Sequence, residues 1–263
     1  MRPLSVVIPT LNESRSLPLL LADLARWTWS MQLLVVDGGS RDATVSVAHL
    51  AGAEVLNSPE RGRGQQLRLG SAKARESWLL VLHADSRLHP RWPEAVSKVI
   101  NDPNSASQAW AFDFQVEGDR LMLRMLEKAV ALRSRWLQRP YGDQGLLIHR
   151  DLLEKAGGYQ PLALMEDLDL VMRLNSQARI LQLGLPLTTS GRRWSDKGVL
   201  QVAWRNARLR SRWRAGEDPD LLADAYRTSS ISWRTRTHND VVAVPAPNPD
   251  VGRSSPHQDQ RRD

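Results

Sequence analysis

Short apolar runs in this chain stop abruptly at polar residues, and helical spacing fills the gaps between them. Val6-Val7-Ile8 ends at Pro9-Thr10-Leu11-Asn12-Glu13, and Leu33-Leu34-Val35-Val36 ends at Asp37-Gly38-Gly39-Ser40. Both read as strands feeding turns. Between them Leu17, Leu20, Leu21 and Leu24 recur at helical spacing, with Ser16 as N-cap and Pro18 in the first turn. A second helix is predicted over 42–51, a strand over 53–56 and a helix rich in Arg, Gln and Leu over 62–74. Trp78 to Leu82 is continuously apolar, the pattern of a strand covered on both faces, and it ends at His83-Ala84-Asp85. This β-α-β-α-β alternation predicts an α/β fold with a mostly parallel sheet flanked by helices. Ligands of such sheets bind in the crevice beyond the carboxyl ends of the strands, where these polar tips collect.

The middle of the chain is less regular. Ala109 to Val116 alternates like a strand, Arg120 to Leu137 has the spacing of a long amphipathic helix, and a strand is predicted over 145–148 after the turn Tyr141-Gly142-Asp143-Gln144. Glu166 to Asn175 reads as a helix whose leading carboxylates suit its positive end. Helices are predicted over 199–214 and 220–226. From residue 228 proline and polar residues dominate without periodicity, which predicts a disordered tail. The expected organisation is a sheet domain over 1–190, a basic helical extension over 191–227 and the tail over 228–263.

Composition narrows the chemistry. The 263 residues can bury a full core. Cysteine is absent, which excludes disulfides, thiolate metal sites and thiol catalysis. The chain passes from Met1-Arg2-Pro3 directly into a strand, with no apolar segment of signal or membrane-span length, so a cytoplasmic protein is expected. The net charge of +7 points to an anionic partner. Its excess gathers late: Arg205, Arg208, Arg210, Arg212 and Arg214 lie among Trp204 and Trp213. A solvated basic face is the default reading of that helix. Contact with the inner face of an anionic membrane comes second, and nucleic acid is not expected because the charge lies away from the strand tips.

Taken in order, Pro9-Thr10-Leu11-Asn12-Glu13, Val35-Val36-Asp37-Gly38-Gly39-Ser40, Leu82-His83-Ala84-Asp85 and Glu166-Asp167 resemble the family-2 glycosyltransferases. The resemblance spans about residues 4–190. It implies the GT-A (Rossmann-like) fold, a nucleotide-diphosphate sugar donor with UDP or GDP, and transfer with inversion. A nucleotide sugar needs carboxylates or amides for base N–H and ribose hydroxyl groups. Glu13 and Asp37 stand where they could serve, beside Pro9, Thr10 and Asn12, and the resemblance assigns Asp37 to the base. Gly38 permits close backbone approach. Arg61-Gly62-Arg63-Gly64-Gln65-Gln66 is a second, basic glycine-rich loop that suits a diphosphate or a sugar carboxylate at a helix start.

His83-Ala84-Asp85 occupies the place of the family's Asp-x-Asp, which holds Mg²⁺ or Mn²⁺ against the diphosphate. His83 replaces the first carboxylate, leaving Asp85 as the direct metal ligand and His83 as either a second ligand or a phosphate donor. Glu166-Asp167 resembles the catalytic acid pair. Adjacent helical residues diverge by about 100°, so one carboxylate faces the acceptor. The resemblance makes Asp167 the general base and Glu166 its support. Asp143 and Gln144 are expected near the acceptor, and Arg192-Arg193-Trp194 resembles a late basic-aromatic motif of the family. The acceptor could be a small molecule or a lipid. The opposing reading is a degenerate, non-catalytic nucleotide-binding or membrane-associated module, motivated by His83. A nucleotidyltransferase is disfavoured because Pro9 to Glu13 replaces the glycine-rich first loop such enzymes carry.

Overall fold

The alternation of the apolar runs is resolved by burying both faces of one sheet. A computed structural model describes residues 3–60, 62–191 and 198–226. Among them eight strands form a single sheet: β1 (Leu4–Thr10), β2 (Met31–Asp37), β3 (Glu54–Asn57), β4 (Trp78–Val81), β5 (Ser86–Leu88), β6 (Ala109–Val116), β7 (Leu146–His149) and β8 (Ile180–Thr189). Their order is β3-β2-β1-β4-β7-β6-β8-β5. β1 to β4 are mutually parallel, as are β6 and β8, while β7 and β5 run against their neighbours. The expected mostly parallel sheet is present. The helices are α1 (Leu17–Leu24), α2 (Thr44–Leu50), α3 (Arg63–Lys73), α4 (Trp92–Asn101), α5 (Leu121–Trp136), α6 (Arg150–Lys155), α7 (Glu166–Asn175) and α8 (Val199–Arg214). Residues 219–226 are also helical. Residues up to 223 form one compact unit that includes α8. The proposed tail over 228–263 lies outside the described residues.

Successive strand residues feed opposite cores. Val6, Ile8, Trp78, Leu80 and Leu82 join α1 and α4 on one side. Val7, Leu34, Val36, Leu79 and Val81 join α3, α6 and α7 on the other. Each fully buried Leu or Val contributes about 1.5–3 kcal/mol, which explains why these strands carry almost no polar side chain. A third, smaller cluster of Phe114, Val116, Leu123, Val130 and Val199 lies under α5 and α8.

Four elements escape the sequence pattern: β5, α4, α6 and β8. β8 is the longest strand in the sheet, with ten residues. Gly184 (φ +71) and Pro186 interrupt it, and its pairing with β6 shifts register between Ala111 and Asp113. Glycine and proline within a strand mark such irregularities, and they hide it from a search for alternation. α2 also starts two residues later than predicted, because Asp42 stands ahead of it and accepts the Thr44 N–H at 3.0 Å.

Register sets the site. Thr10 of β1 is paired with Asp37 of β2, and Val7 with Val81 of β4. The polar turns after these parallel strands therefore share one sheet edge. β7 is antiparallel to β4, with Leu146 opposite Val81, so the loop entering β7, residues 141–145, arrives at that same edge.

α3 crosses the sheet at Gly70, where a Cβ would come within 2.5 Å of Val7 Cγ1 and 2.9 Å of Val36 Cγ2. Gly70→Ala is expected to lower stability by about 1–3 kcal/mol through overpacking. Arg68→Ala, on the exposed side of the same helix, should change it by less than about 0.5 kcal/mol. Urea unfolding with an unchanged slope measures both.

Candidate active site

The first two strand tips are laced together by their own polar groups. Asn12 adopts φ +57, and its backbone N–H donates to Ser40 Oγ at 2.8 Å while its Oδ1 accepts the Arg41 N–H at 2.8 Å. Glu13 N–H donates to Thr44 Oγ1 at 2.8 Å, which leaves the half-buried Glu13 at the joined edge of both loops. Asp37 is buried. Its Oδ2 accepts the Gly39 and Ser40 N–H groups at 2.9 and 2.8 Å, and its Oδ1 accepts the hydroxyls of Ser40 at 2.5 Å and Thr10 at 3.3 Å. A carboxylate has about four acceptor positions, and Asp37 uses three on its own turn and one on Thr10 of β1. Thr10 is buried with it. Asp37 thus shapes its own turn, in which the buried Gly38 donates its N–H to Thr10 O at 2.9 Å.

Gln66, which sequence reasoning placed only within a basic loop, locks that arrangement from below. Its buried amide donates to Thr10 O at 2.8 Å and Val36 O at 2.7 Å, and a Cβ on Gly38 would come within 3.1 Å of it. Nothing in the local pattern distinguishes Gln66 from Gln65; only the packing of α3 across the sheet does.

The second glycine-rich loop meets the acid pair. Gly62 (φ +138) precedes α3, and a Cβ on Gly64 would come within 2.6 Å of Gln160 O, so only glycine lets α3 pass the segment leading to α7. Arg63, in the first turn of α3, bonds through Nε to Glu166 Oε1 and lies with Nη2 3.7 Å from Asp167 Oδ2. Arg61 lies outside the described residues. α7 begins after Met165, a non-glycine residue in the left-handed region at φ +68, a conformation that costs about 1–2 kcal/mol. Glu166 points inward and is buried, with Oε2 lacking a hydrogen-bond partner. Asp167 meets the same guanidinium but is less covered, its side chain 20% exposed. Asp169 is turned to Arg173, 3.0 Å from its Nε.

The third tip and the 141–145 loop close the site. Asp167 Oδ2 accepts the Gly142 N–H at 2.7 Å and Oδ1 the Leu168 N–H at 2.8 Å. A Cβ on Gly142 would fall 2.8 Å from Asp167 Oδ2 and 2.9 Å from His83 Nε2, so only glycine fits between these two groups. His83 and Asp85 share the turn after β4, closed by Ser86 N–H to His83 O at 3.1 Å. That turn is fixed from behind: Arg87 in β5 grips the buried Asp23 of α1 at 2.7 and 3.1 Å, and Asp23 also accepts the Leu88 N–H at 3.0 Å. Ala84 is buried within it, and Asp85 is half-buried.

The second-tier residues divide. Asp143 lies half-buried beside Gly142. Gln144 does not face the crevice. It is buried, accepting from Ser134 Oγ at 2.9 Å and donating to Phe112 O at 3.0 Å. Its amide needs partners because it is inside, and it works as a strut for the loop rather than as an acceptor contact. Arg192, Arg193 and Trp194 lie outside the described residues.

A cation that bridges a diphosphate keeps water and phosphate oxygens in its shell and needs only one or two protein ligands. Among the described residues no three His, Asp or Glu side chains cluster as a metal site. Asp85, with His83 two residues before it, is a donor set that fits a cation arriving with a nucleotide.

The electrostatics of the acid pair are opposed. Burial raises the Glu166 carboxyl, and Arg63 only partly offsets it. Burial also raises Asp167, but Arg63, the Gly142 N–H, His83 and the Leu168 N–H outweigh it and hold Asp167 below the usual carboxylate range. Stability carried by Asp167 is therefore present above its unfolded value and lost as pH falls through its lowered folded one. For Glu166 the sign reverses: its contribution falls as pH rises from its unfolded value through the raised one. Arg63→Gln should move both midpoints upward. Carboxyl NMR titration of the two residues reads each separately, and an unmoved Asp167 midpoint would refute the role given to Arg63.

Comparison with known proteins places this geometry. The chain is 37% identical over 84 residues to an uncharacterized glycosyltransferase of Mycobacterium tuberculosis, a match covering 32% of this chain and 37% of the relative. It thus spans little more than a third of the curated relative's length. Among solved structures it resembles the mannosyltransferase PcManGT from Pyrobaculum calidifontis in complex with GDP-Man and Mn²⁺, with TM-score 0.60, 19% identity, and 85% and 69% of the two chains covered. It also resembles S. aureus TarS 1-349 in complex with UDP-GlcNAc, with TM-score 0.59, 19% identity, and coverages of 73% and 59%. At these identities the likeness is one of fold, and it bears out the GT-A architecture. The profile of the family described as "Glycosyl transferase family 2" matches residues 5–162, so this chain belongs to the family-2 glycosyl transferases.

Proposed function

We propose that the chain transfers a sugar from a UDP- or GDP-sugar to an acceptor hydroxyl or carboxylate with inversion. The observation that carries this reading is the meeting of four distant segments at one sheet edge: Arg63, the Glu166-Asp167 pair, Gly142 and His83. In this reading Pro9, Thr10, Asn12, Glu13 and the turn folded by Asp37 form the nucleotide half of the donor site, with Glu13 the carboxylate offered to base or ribose. Asp85, with His83 beside it, would hold a divalent cation, which when bound offsets charge on the departing diphosphate. The donor-side complexes of the neighbours, with UDP-GlcNAc in one and GDP-Man and Mn²⁺ in the other, support this division.

Asp167 is the general base. Arg63 and two backbone N–H groups keep it ionised at neutral pH, and its partly exposed carboxylate retains free lone pairs for an acceptor hydroxyl. The acceptor oxygen bonds to the anomeric carbon from the face opposite the diphosphate. The anomeric carbon–oxygen bond breaks with its electron pair leaving on the diphosphate, and the hydroxyl proton passes to Asp167. Proton acceptance by so weak a base is effective only late in the step, once the attacking oxygen has become acidic. Glu166 is a positioning residue that holds Arg63 in place. Among the described residues no helix is long and apolar enough to cross a membrane, so a lipid acceptor would have to be met at a surface.

Asp167→Asn should reduce transfer by at least about 10³-fold while leaving nucleotide binding intact, measured by product formation and by calorimetric titration. Undiminished transfer in that variant overturns the base assignment. Asp85→Asn should weaken Mn²⁺-dependent UDP or GDP binding and leave metal-free binding unchanged. In a thermal-shift screen of nucleotide sugars the matching donor should stabilise the wild type by mass action. Donor binding by a wild type that transfers its sugar to no acceptor would favour the non-catalytic binding module instead.

A further inference from the structure

We infer that the outer face of α5 docks the protein on an anionic lipid bilayer. The sequence pattern predicts one apolar stripe on this helix, and the structure finds two. Leu123, Val130 and Ser134 form the buried stripe against the sheet. On the opposite side Leu121, Met125, Leu132 and Trp136, spaced by four, seven and four residues, form a second stripe along one face. These four are 75%, 58%, 60% and 80% exposed, and the adjoining Met122 and Leu137 are exposed as well. A helix apolar on both faces belongs inside a core or against a second apolar phase. Over 15 steps the outer stripe extends about 22 Å, and contiguous exposed apolar surface of this kind marks an interaction site.

Charge identifies the occupant. The only acid of α5, Glu127, is turned away from the stripe: its Oε1 accepts the Val116 N–H at 2.8 Å, and its Oε2 lies 2.6 Å from Arg124 Nη1. Arg133 is directed inward, donating to Arg139 O at 3.0 Å and lying 3.7 Å over the Tyr141 ring. The exposed charges of the helix are Lys128 and Arg135; Glu117 and Asp119 precede its N-terminus. α8, packed against α5, itself carries the exposed Leu200 and Trp204 with Arg208 beside that indole. Apolar and aromatic groups flanked by bases are the composition of an interfacial helix on anionic lipid. A two-fold contact centred on this stripe would instead bring Lys128 and Arg135 of both copies to one interface with no exposed acid of the helix to pair them. The inner face of this helix also supports the catalytic side of the site, because Tyr141 precedes the Gly142 N–H that holds Asp167. Docking and the acceptor-side loop thus share one element.

Co-sedimentation of the full chain with vesicles tests this. Wild type should bind phosphatidylcholine vesicles containing about 30 mol% phosphatidylglycerol, bind pure phosphatidylcholine at least about tenfold more weakly, and be released as salt rises. The triple variant Met125→Gln, Leu132→Gln, Trp136→Gln should lose at least about tenfold in vesicle affinity, with its nucleotide binding and thermal midpoint unchanged because all three residues are exposed. Lys128→Glu with Arg135→Glu gives an independent second variant, expected to lose anionic-vesicle binding without touching the apolar stripe. No sedimentation of wild type with anionic vesicles, or undiminished binding of both variants, overturns the proposal. So does light scattering that shows a wild-type dimer dissociated by the triple variant. None of these readouts requires sugar transfer, so the result stands apart from the proposed activity.

Discussion

The carboxylate of Glu166 can remain in the interior only because Arg63 reaches it. Burying an isolated charge is far costlier than burying a paired one, and Glu166 has one oxygen without a hydrogen-bond partner even so. The contact joins the start of α3 to the start of α7, two segments separated by about a hundred residues. Because α3 also passes Gly64 against the 160–162 backbone and Gly70 against Val7 and Val36, the ion pair and the two glycines fix one geometry together. Asp167 inherits its position from that pair. It is the next residue on the same helix turn, and the same guanidinium sets its charge.

The rest of the site follows from strand direction. Parallel β1, β2 and β4 end at one edge, and antiparallel β7 begins there. A loop that ends a strand and a loop that starts one can therefore meet, as His83 and Gly142 do around Asp167. The nucleotide side is held differently. Asp37 closes its own turn and Gln66 ties the two strand ends from beneath, so the two joined loops are braced by the protein's own hydrogen bonds.

Much of this was legible as pattern. Strands β1, β2, β3, β4, β6 and β7 and helices α1, α2, α3, α5, α7 and α8 follow from apolar periodicity within a residue or two. The polar tips were legible too, because each apolar run stops abruptly at a carboxylate or amide. What escaped had physical causes. β8 is broken by Gly184 and Pro186 and by a shifted register, so it never alternates cleanly. β5 has only three residues, too few for a period. Gln144 reads as a polar loop residue, yet its side chain is a buried strut, and nothing local separates a polar group bound by the core from one offered to a ligand.

The sequence by itself determined the layered α/β architecture and the identity of the groups at the strand tips, because period-2 and period-3.6 burial are local properties of the chain. Only the tertiary structure decided which of those groups turn inward and which face the crevice. Glu166 and Asp167 are adjacent carboxylates with equal local claims, and Arg63 touches both; the Gly142 N–H and His83, which act on Asp167 alone, separate them, one held buried and the other kept below the usual carboxylate range. The two apolar faces of α5 have the same origin. Spacing makes both stripes, but only the packing of the sheet covers one and leaves the other to solvent.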